Sequence, residues 1–359
     1  MTASQPTSTV ILYKQEQLPV LQNRVFDTAD QARHCVCGDV ILTQDTQTGL
    51  IHNIAFDPGL MVYDENYQNE QACSGVFRRH LDHVADIVAR HASGRPILEI
   101  GCGKGWFLEL LRSRGLVVSG VDPAYEGDAV DVIKAPFTET LGIRADVIVL
   151  RHVLEHIPDP LAFLRNIAAA NGGEGLIYVE VPCFDWVLQH RAWFDIFYEH
   201  VNYFRPSDWS RWFDRVIEAG HLFGDQYQYV VADLSSLRFE SLRDSAIEFP
   251  VDFLSSLDRG IAMRASATAR RAVIWGAASK GVIYAIAQQQ RGIDVDFAID
   301  INPAKQGKYL PVSGLKVLSP DEASNKLSPH DFIFVMNSNY LDEIKSATRN
   351  QFHYIPVDA

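Results

Sequence analysis

The 359-residue sequence lacks a long apolar run, an excess of basic residues and a paired set of cysteines. Because no run approaches the roughly 20 apolar residues of a bilayer span, we expect no transmembrane helix and no membrane partner. A formal net charge of −13 argues against a nucleic-acid polymer as partner. Scattered cysteines and the absence of a secretory signal pattern favour a cytoplasmic protein. None of these features indicates an oligomeric state.

The first 70 residues are expected to form a small N-terminal module of short strands and polar turns. Cys35 and Cys37 lie one residue apart, but no second Cys or His pair follows at zinc spacing, so we expect no metal site. Tyr63 and Tyr67 lie near the end of this module. They are either ordinary half-buried packing residues or part of a lid over a ligand, since tyrosine pairs an apolar ring with a hydroxyl group.

The stretch from Pro96 to Arg112 predicts a buried strand, a glycine turn and a helix, in that order. Gly101, Gly103 and Gly105 make the turn. Glycines allow close approach of the backbone to a ligand, and the start of a helix offers unpaired N–H groups. Sites for NAD, FAD and S-adenosylmethionine (SAM) all use such a loop.

Residues 71–243, which contain this loop, alternate strand and helix patterns and end in an expected antiparallel hairpin. The alternation predicts a parallel sheet with its ligand at the carboxyl ends of the strands. Asp122 lies at the tip of the second strand, about 20 residues after the first glycine, where an acid accepts hydrogen bonds from ribose hydroxyls. The fourth strand runs into His152 and His156. A helical linker is expected over 245–271.

A second, smaller α/β unit is expected within residues 244–359. It contains another strand, a turn at Gly276 and a helix that includes Gly281. Later strands end at Asp300 and Asn337. The turn does not match the phosphate-binding G-x-x-x-x-G-K-[ST] spacing, so nucleotide hydrolysis is not implied. The fold class is therefore α/β, with a Rossmann-like domain, a second smaller Rossmann-like domain and the N-terminal module.

The first glycine loop has the spacing G-x-G-x-G and not the G-x-G-x-x-G of dinucleotide sites. SAM carries no pyrophosphate, and Glu99 suits its cationic amino-acid end. We therefore favour SAM, with Phe137 and the segment after Leu150 enclosing its adenine and methionine ends. The predicted cofactor-binding residues are Glu99, Gly101, Cys102, Gly103, Gly105, Asp122, Pro123, Phe137, Arg151 and His152.

These motifs resemble those of class I SAM-dependent methyltransferases, through LEIGCGKG, VDP and VLRHVLEHIPDP together. Over nearly the whole chain, the order of the three modules resembles the C-methyltransferases that act on nucleotide-linked deoxysugars. The segments that carry this closer resemblance are FYEHVNYF (197–204), WGAASKG (275–281), DINPAKQGKYLP (300–311) and NSNYLDEI (337–344).

The resemblance implies C-methylation beside a 4-keto group, with His200 as the general base and Glu199 and Tyr198 supporting it. Imidazole can accept and release a proton at neutral pH. The sequence departs from the family in having Phe197 where a tyrosine is usual. The family's zinc-binding cysteines are also missing, which implies that the module serves only as a lid.

The predicted acceptor-binding residues come from all three modules, and the nucleotide sugar is the expected small-molecule partner. Lys280 and Lys305 are expected to contact its phosphates. The full set comprises Tyr63, Tyr67, His156, Phe197, Asn202, Lys280, Asn302, Lys305 and Asn337. The alternatives are O- or N-methylation of a sugar or another small metabolite, an NAD-dependent oxidoreductase, and a non-catalytic binding protein.

Overall fold

The computed structural model describes residues 10–45, 47–64, 66–70, 72–238, 247–257, 271–329 and 331–358. The strands in these residues are β1 (Val10–Pro19), β2 (Cys37–Gln44), β3 (Ile51–Asn53), β4 (Ile97–Ile100), β5 (Val118–Val121), β6 (Val132–Ile133), β7 (Val147–Arg151), β8 (Leu176–Pro182), β9 (Asn202–Tyr203), β10 (Val216–Leu222), β11 (Tyr227–Asp233), β12 (Ala272–Trp275), β13 (Ala298–Ile299), β14 (Val317–Leu318), β15 (Phe332–Val335) and β16 (His353–Pro356). The α-helices are α1 (Ala29–Arg33), α2 (Gly75–Ala92), α3 (Trp106–Ser113), α4 (Pro160–Ala170), α5 (Phe184–Gln189), α6 (Pro206–Trp212), α7 (Ser279–Gln290), α8 (Pro320–Ser324) and α9 (Leu341–Ala347).

The central sheet has seven strands in the order β10-β11-β8-β7-β4-β5-β6. Strands β4 to β8 run parallel, and the hairpin β10–β11 adds an antiparallel edge. The expected Rossmann-like fold is therefore confirmed. The strand order reverses at β4, which pairs with β5 on one side and β7 on the other. A crevice opens at such a switch point, and the first glycine loop follows β4 there.

The C-terminal sheet has five parallel strands in the order β14-β13-β12-β15-β16. Its switch point lies at β12, and the second glycine turn and α7 follow that strand. The second Rossmann-like unit is thus confirmed. Of the helical linker predicted over 245–271, residues 245–246 and 258–270 lie outside the described residues.

The N-terminal sheet has four antiparallel strands in the order β1-β2-β3-β9. Strand β9 comes from the segment after His200, where Ile51 pairs with Tyr203. The sequence does not show this pairing, because a two-residue strand leaves no periodic pattern. Near the turn after β2, Asp45 Oδ1 accepts hydrogen bonds from the backbone N–H groups of Gln47 and Thr48, both at 2.7 Å.

One hydrophobic core joins the three modules. It combines Leu18 and Leu42 of the N-terminal sheet with Trp193 of the central segment and Tyr284 of α7. The last two rings stack with their centroids 5.8 Å apart. Burial of apolar area stabilises the modules against one another as well as each by itself. Among the described residues, no helix has the length and apolar character needed to cross a membrane.

Candidate active site

The first glycine loop is an open cradle. Gly101, Gly103 and Gly105 have φ angles of 81°, 52° and 81°, values that glycine adopts without strain. Gly105 caps α3 and provides no side chain to pair the first N–H groups of that helix. A Cβ atom at Gly103 would meet no described atom within 4 Å. A ligand can therefore approach the loop backbone closely.

Asp122, at the end of β5, fixes the shape of this loop. Its Oδ2 accepts a hydrogen bond from Gly103 N at 2.7 Å, and its Oδ1 accepts one from Ala124 N at 2.7 Å. Each carboxylate oxygen has a second lone pair, so these bonds leave acceptor capacity for ribose hydroxyls. The neighbouring Pro123 is exposed, and Cys102 is buried beneath the loop.

Glu99 provides a buried negative charge below the cradle. None of the described residues donates a hydrogen bond to its Oε2. Arg151 Nη1 lies 4.0 Å from the other carboxylate oxygen. Burial raises the pKa of Glu99 to about 7, although the charge of Arg151 opposes the rise. A buried carboxylate with one unpartnered oxygen, beside open backbone N–H groups, fits a cationic amino-acid ligand such as the methionine end of SAM.

A buried network centred on Glu180 links the cradle to the neighbouring pocket, and sequence reasoning missed it. Glu180 receives hydrogen bonds from His80 Nε2 at 2.8 Å and Arg151 Nε at 3.2 Å. His152 lies 3.4 Å from the same carboxylate. Burial alone would raise the pKa of Glu180, but Arg151, His152 and His80 hold it well below the usual value. The sequence does contain one signal of this network, since Glu180 is an acidic residue within the otherwise apolar strand β8.

A cavity of about 270 Å³ lies beyond this network, at the junction of the three modules. Strand ends of both parallel sheets and the end of the N-terminal module contribute to it. Its lining includes Asn23, Tyr67, His152, Glu155, His156, Phe197, Glu199, His200, Tyr227, Trp275, Lys280, Asp300, Lys305 and Asn337. The structure therefore brings together most of the predicted acceptor residues.

His200 lies in this cavity between two aromatic neighbours. Its ring centroid is 4.0 Å from that of Phe197 and 5.0 Å from that of His156. Burial and the charges of His156, His152 and Lys280 hold the pKa of His200 well below its usual value. The imidazole is therefore neutral at neutral pH and has a free lone pair.

Glu199 is held by the N-terminal module. Its Oε2 accepts a hydrogen bond from Gln22 N at 3.0 Å, and its Oε1 accepts one from Tyr63 Oη at 3.4 Å. Tyr67, which lies beside Tyr63, lines the cavity. Burial raises the pKa of both Glu199 and Tyr67. The Tyr67 hydroxyl therefore stays protonated and can donate a hydrogen bond.

Two predicted site residues of the 197–204 segment have side chains that lie outside the cavity lining. Tyr198 is fully buried against the N-terminal module, where its hydroxyl accepts a hydrogen bond from Asp57 N at 2.8 Å. Asn202 is buried too, and its Nδ2 donates to the backbone oxygen of Ile157 at 2.6 Å. Both side chains therefore serve the packing of the 197–204 segment and not the cavity.

Three other predicted residues have structural partners. Tyr63 reaches the site only through Glu199 and does not line the cavity. Asn302 accepts a hydrogen bond from Ala304 N at 3.0 Å and lies beside the cavity lining, not in it. Phe137 is half-buried and packs edge-on against Phe163 at 6.2 Å.

The two predicted lysines differ in their partners. Lys280 Nζ is 3.1 Å from Asp195 Oδ2 and also donates to Gln226 Oε1 at 3.0 Å. Lys305 is buried, and its Nζ donates to two neutral acceptors, Asn23 Oδ1 at 3.1 Å and Ala277 O at 3.0 Å. Burial lowers the pKa of Lys305. Asn337 joins the Lys280 group, since its Nδ2 donates to Gln226 at 2.8 Å.

Comparison with known proteins gives two family matches that cover different parts of the chain. The methyltransferase domain model matches residues 67–216, and the C-methyltransferase C-terminal domain model matches residues 254–354. A C-methyltransferase, NovU from Streptomyces niveus, is 26% identical over 322 residues, covering 78% of this chain and 76% of the relative. A ubiquinone biosynthesis O-methyltransferase from Methylobacterium sp. (strain 4-46) is 27% identical over 203 residues, covering 48% of this chain and 81% of the relative.

Solved structures give a weaker likeness. A SAM-dependent methyltransferase from Archaeoglobus fulgidus aligns with a TM-score of 0.34 at 20% identity, covering 43% of this chain and 94% of that one. The mitomycin 7-O-methyltransferase MmcR aligns with a TM-score of 0.35 at 19% identity, covering 45% of this chain and 55% of that one.

Proposed function

We propose that this chain, a SAM-dependent methyltransferase with a C-methyltransferase C-terminal domain, methylates a carbon atom beside the keto group of a nucleotide-linked deoxysugar. The observation that carries the proposal is the position of His200. It lies in a cavity that all three modules line, next to Glu199 in the sequence and together with Lys305 of the C-terminal domain. The name of the relative from Streptomyces niveus, a C-methyltransferase, supports transfer to carbon.

His200 is the proposed general base. The depressed pKa leaves its imidazole neutral, so a ring nitrogen can accept the proton from the carbon next to the keto group. Removal of this proton leaves an enolate. Phe197 cannot donate a hydrogen bond to the enolate oxygen. The Tyr67 hydroxyl lines the same cavity and can donate to it by turning away from Glu199, its present acceptor. Glu199 is a positioning residue, because it ties this part of the cavity to the N-terminal module.

The residues of the glycine cradle would hold SAM, with Glu99 near its ammonium group and Asp122 near its ribose. SAM, when bound, supplies an electrophilic methyl carbon on a sulfonium. The protein's contribution is alignment and the exclusion of water, which is large for a displacement that requires in-line approach. The Glu180 network supports this arrangement, since it braces Arg151 of the cradle and His152 of the cavity.

Lys305 is the proposed partner of the nucleotide diphosphate. Its hydrogen-bond acceptors are neutral, and one N–H remains beyond the two that are paired, so it can donate to an anion. The carboxylates of Asp300 and Glu199 favour its charged form. Lys280 is the weaker choice, because Asp195 already balances its charge.

The test combines product identification with proton exchange. The protein is incubated with isotopically labelled SAM and nucleotide-linked 4-keto deoxysugars, and NMR locates the new methyl group. In deuterated solvent without SAM, the wild type is expected to exchange the proton beside the keto group. His200→Asn should lose this exchange and reduce turnover by about 100-fold or more. His221→Asn, at an exposed position of β10, is the matched control.

A methyl group on oxygen or nitrogen would contradict the proposal, as would exchange that His200→Asn leaves intact. O-methylation is the competing assignment, because the relative from Methylobacterium is an O-methyltransferase. That relative matches only 48% of this chain, whereas NovU matches 78%. The alternatives of an oxidoreductase and a non-catalytic protein are set aside, since both family models describe methyltransferase domains.

A further inference from the structure

Three side chains that could bind a metal ion converge at the wall of the cavity. One ligand atom each from Glu155, His156 and His200 can be chosen so that all three lie within 4.8 Å of one another. Glu155 and His156 belong to the 3₁₀ turn after β7, and His200 comes from a distant segment. Two imidazoles and one carboxylate form a donor set typical of zinc, iron, nickel and copper sites in proteins.

His156 is oriented as a metal ligand would be. Its Nδ1 lies 2.9 Å from the backbone oxygen of Glu199, and a carbonyl oxygen can only accept. Nδ1 therefore carries a proton, which leaves Nε2 as the ring nitrogen that can bind a metal ion. Histidines that bind metals usually donate their other N–H group in this way, because that bond fixes the tautomer and the ring orientation.

Glu155 presents an unpaired oxygen. The side chain is 1% exposed, and its Oε1 contacts His152 Nδ1 at 3.2 Å. No donor in the described part of the chain lies within hydrogen-bonding distance of Oε2. A buried carboxylate oxygen without a partner is costly, and a cation would satisfy it. The contact with His152 would then hold the ligating carboxylate, as outer-shell partners do at metal sites.

We propose that Glu155, His156 and His200 bind one first-row transition metal ion, tested here as Zn²⁺, and that this ion competes with the acceptor. Three protein ligands leave a coordination position open toward the cavity. A metal ion on His200 occupies the imidazole that must accept the substrate proton and also blocks the space beside it. Binding itself is independent of the proposed reaction, but the competition rests on the proposed function of this cavity.

The binding test uses the full-length protein without an affinity tag. Calorimetry with Zn²⁺ is expected to show one equivalent bound by the wild type. Glu155→Gln and His156→Asn should each weaken it by at least about tenfold, since each removes a ligand. Both substitutions conserve shape, and the side-chain amide that His156→Asn introduces can still donate to the Glu199 carbonyl. His221→Asn should bind as the wild type does.

Co²⁺ provides a spectroscopic check on the ligands. Binding at Glu155, His156 and His200 should give visible bands without a thiolate-to-cobalt charge-transfer band in the near ultraviolet. A thiolate band would instead assign the ion to cysteines such as Cys35 and Cys37, and would overturn the proposal. No Zn²⁺ binding by the wild type, or binding unchanged in Glu155→Gln and His156→Asn, would overturn it too.

Kinetics separate the two proposals. With a sugar acceptor that the enzyme methylates, Zn²⁺ should raise the apparent KM for the acceptor and leave the KM for SAM unchanged. EDTA should reverse this inhibition. Zn²⁺ that binds without inhibiting, or a reaction that requires Zn²⁺, would overturn the competition. If Zn²⁺ binds as expected but no 4-keto sugar is methylated, the metal site stands and the proposed function fails.

Discussion

The two glycine turns of the molecule share one local design but differ in what they leave open. In both, an aspartate at the end of the next strand ties the turn down. Asp122 accepts from Gly103 N at 2.7 Å, and Asp300 accepts from Ala277 N at 2.8 Å. Each also accepts from the backbone two residues further along. A shared anchor therefore does not imply a shared ligand.

The space around the turns differs. A Cβ atom at Gly103 would meet no described atom within 4 Å, whereas one at Gly281 would lie 1.8 Å from the backbone oxygen of Gly276. The first turn has free space at its middle glycine, whereas the start of α7 packs directly on the second turn. The second turn still faces a ligand site, because Gly276 and Gly281 line the cavity.

The charge also differs. The first turn has the carboxylate of Glu99 beneath it, with one oxygen that lacks a hydrogen-bond partner among the described residues. The second has the ammonium group of Lys305, which donates to Ala277 O at 3.0 Å. A buried negative group favours a cation, and a buried positive group favours an anion. The contrast is what a methyl donor with a sulfonium and an acceptor with phosphates would require.

The largest expected effect comes from breaking the tight turn. Gly281→Ala should lower the free energy of unfolding by about 3 kcal/mol or more, because the new methyl group overlaps a backbone oxygen. Gly103→Ala should cost only about 1–2 kcal/mol, for a side chain at positive φ. Urea unfolding monitored by fluorescence measures both. Equal losses of stability would show that the turns are packed alike.

Removing the negative charge below the open turn is expected to have the next largest effect. Glu99→Gln should raise the Kd for SAM by about 10- to 100-fold, the range for loss of a charged interaction. The binding of a nucleotide sugar should not change. Calorimetry measures both constants, and Glu109→Gln, on the exposed face of α3, is the control. A Kd for SAM that stays the same would contradict the role of Glu99.

Lys305→Met should weaken the binding of the nucleotide sugar and not that of SAM, which is the reverse of the effect expected for Glu99→Gln. It should raise the KM for a nucleotide sugar by about tenfold, as expected for one charge-assisted hydrogen bond to phosphate, and leave the Kd for SAM unchanged. Lys308→Met is the matched control, because Lys308 lies in the same loop but pairs with Asp27 at the surface. Steady-state kinetics with both variants check this. Equal effects of the two substitutions would count against Lys305.

The smallest expected effect is a dependence of SAM binding on pH. Burial raises the pKa of Glu99 to about 7, and a bound cation should lower it, so binding should release a proton. Affinity should therefore rise severalfold between about pH 6 and about pH 8, as Glu99 becomes ionised. Calorimetry in buffers of different ionisation enthalpy detects the proton. In Glu99→Gln the release of this proton on SAM binding should vanish. If the release persists, the proton comes from a group other than Glu99.

Much of the fold could be predicted from the sequence, because its signals are local. The run before Gly101 and the glycine spacing predict β4, the turn and α3, all of which the structure contains. Contacts between distant residues could not be predicted in this way. The spacing of Phe77, His80 and Val84 places His80 on the apolar face of α2. Its partner Glu180 is 100 positions away, and no local pattern connects the two.

The directions of the side chains within the 197–204 segment could not be predicted from the sequence either. The motif identifies Glu199 and His200 but does not show which neighbours share their side. Tyr198 was expected beside the base, and the structure places it against Asp57 of the N-terminal module. Irregular segments have no fixed period, so composition alone could not separate the residues that pack from those that line the cavity.

The pairing of β9 with β3 has a consequence for how the chain folds during synthesis. Tyr203 pairs with Ile51, so the edge of the N-terminal sheet waits for a strand made about 150 residues later. At roughly 5–20 residues per second, translation leaves that edge uncovered for about 8 to 30 seconds. An unpaired edge strand can pair with another chain. The ribosome-bound intermediate therefore exposes a strand edge that the finished fold covers.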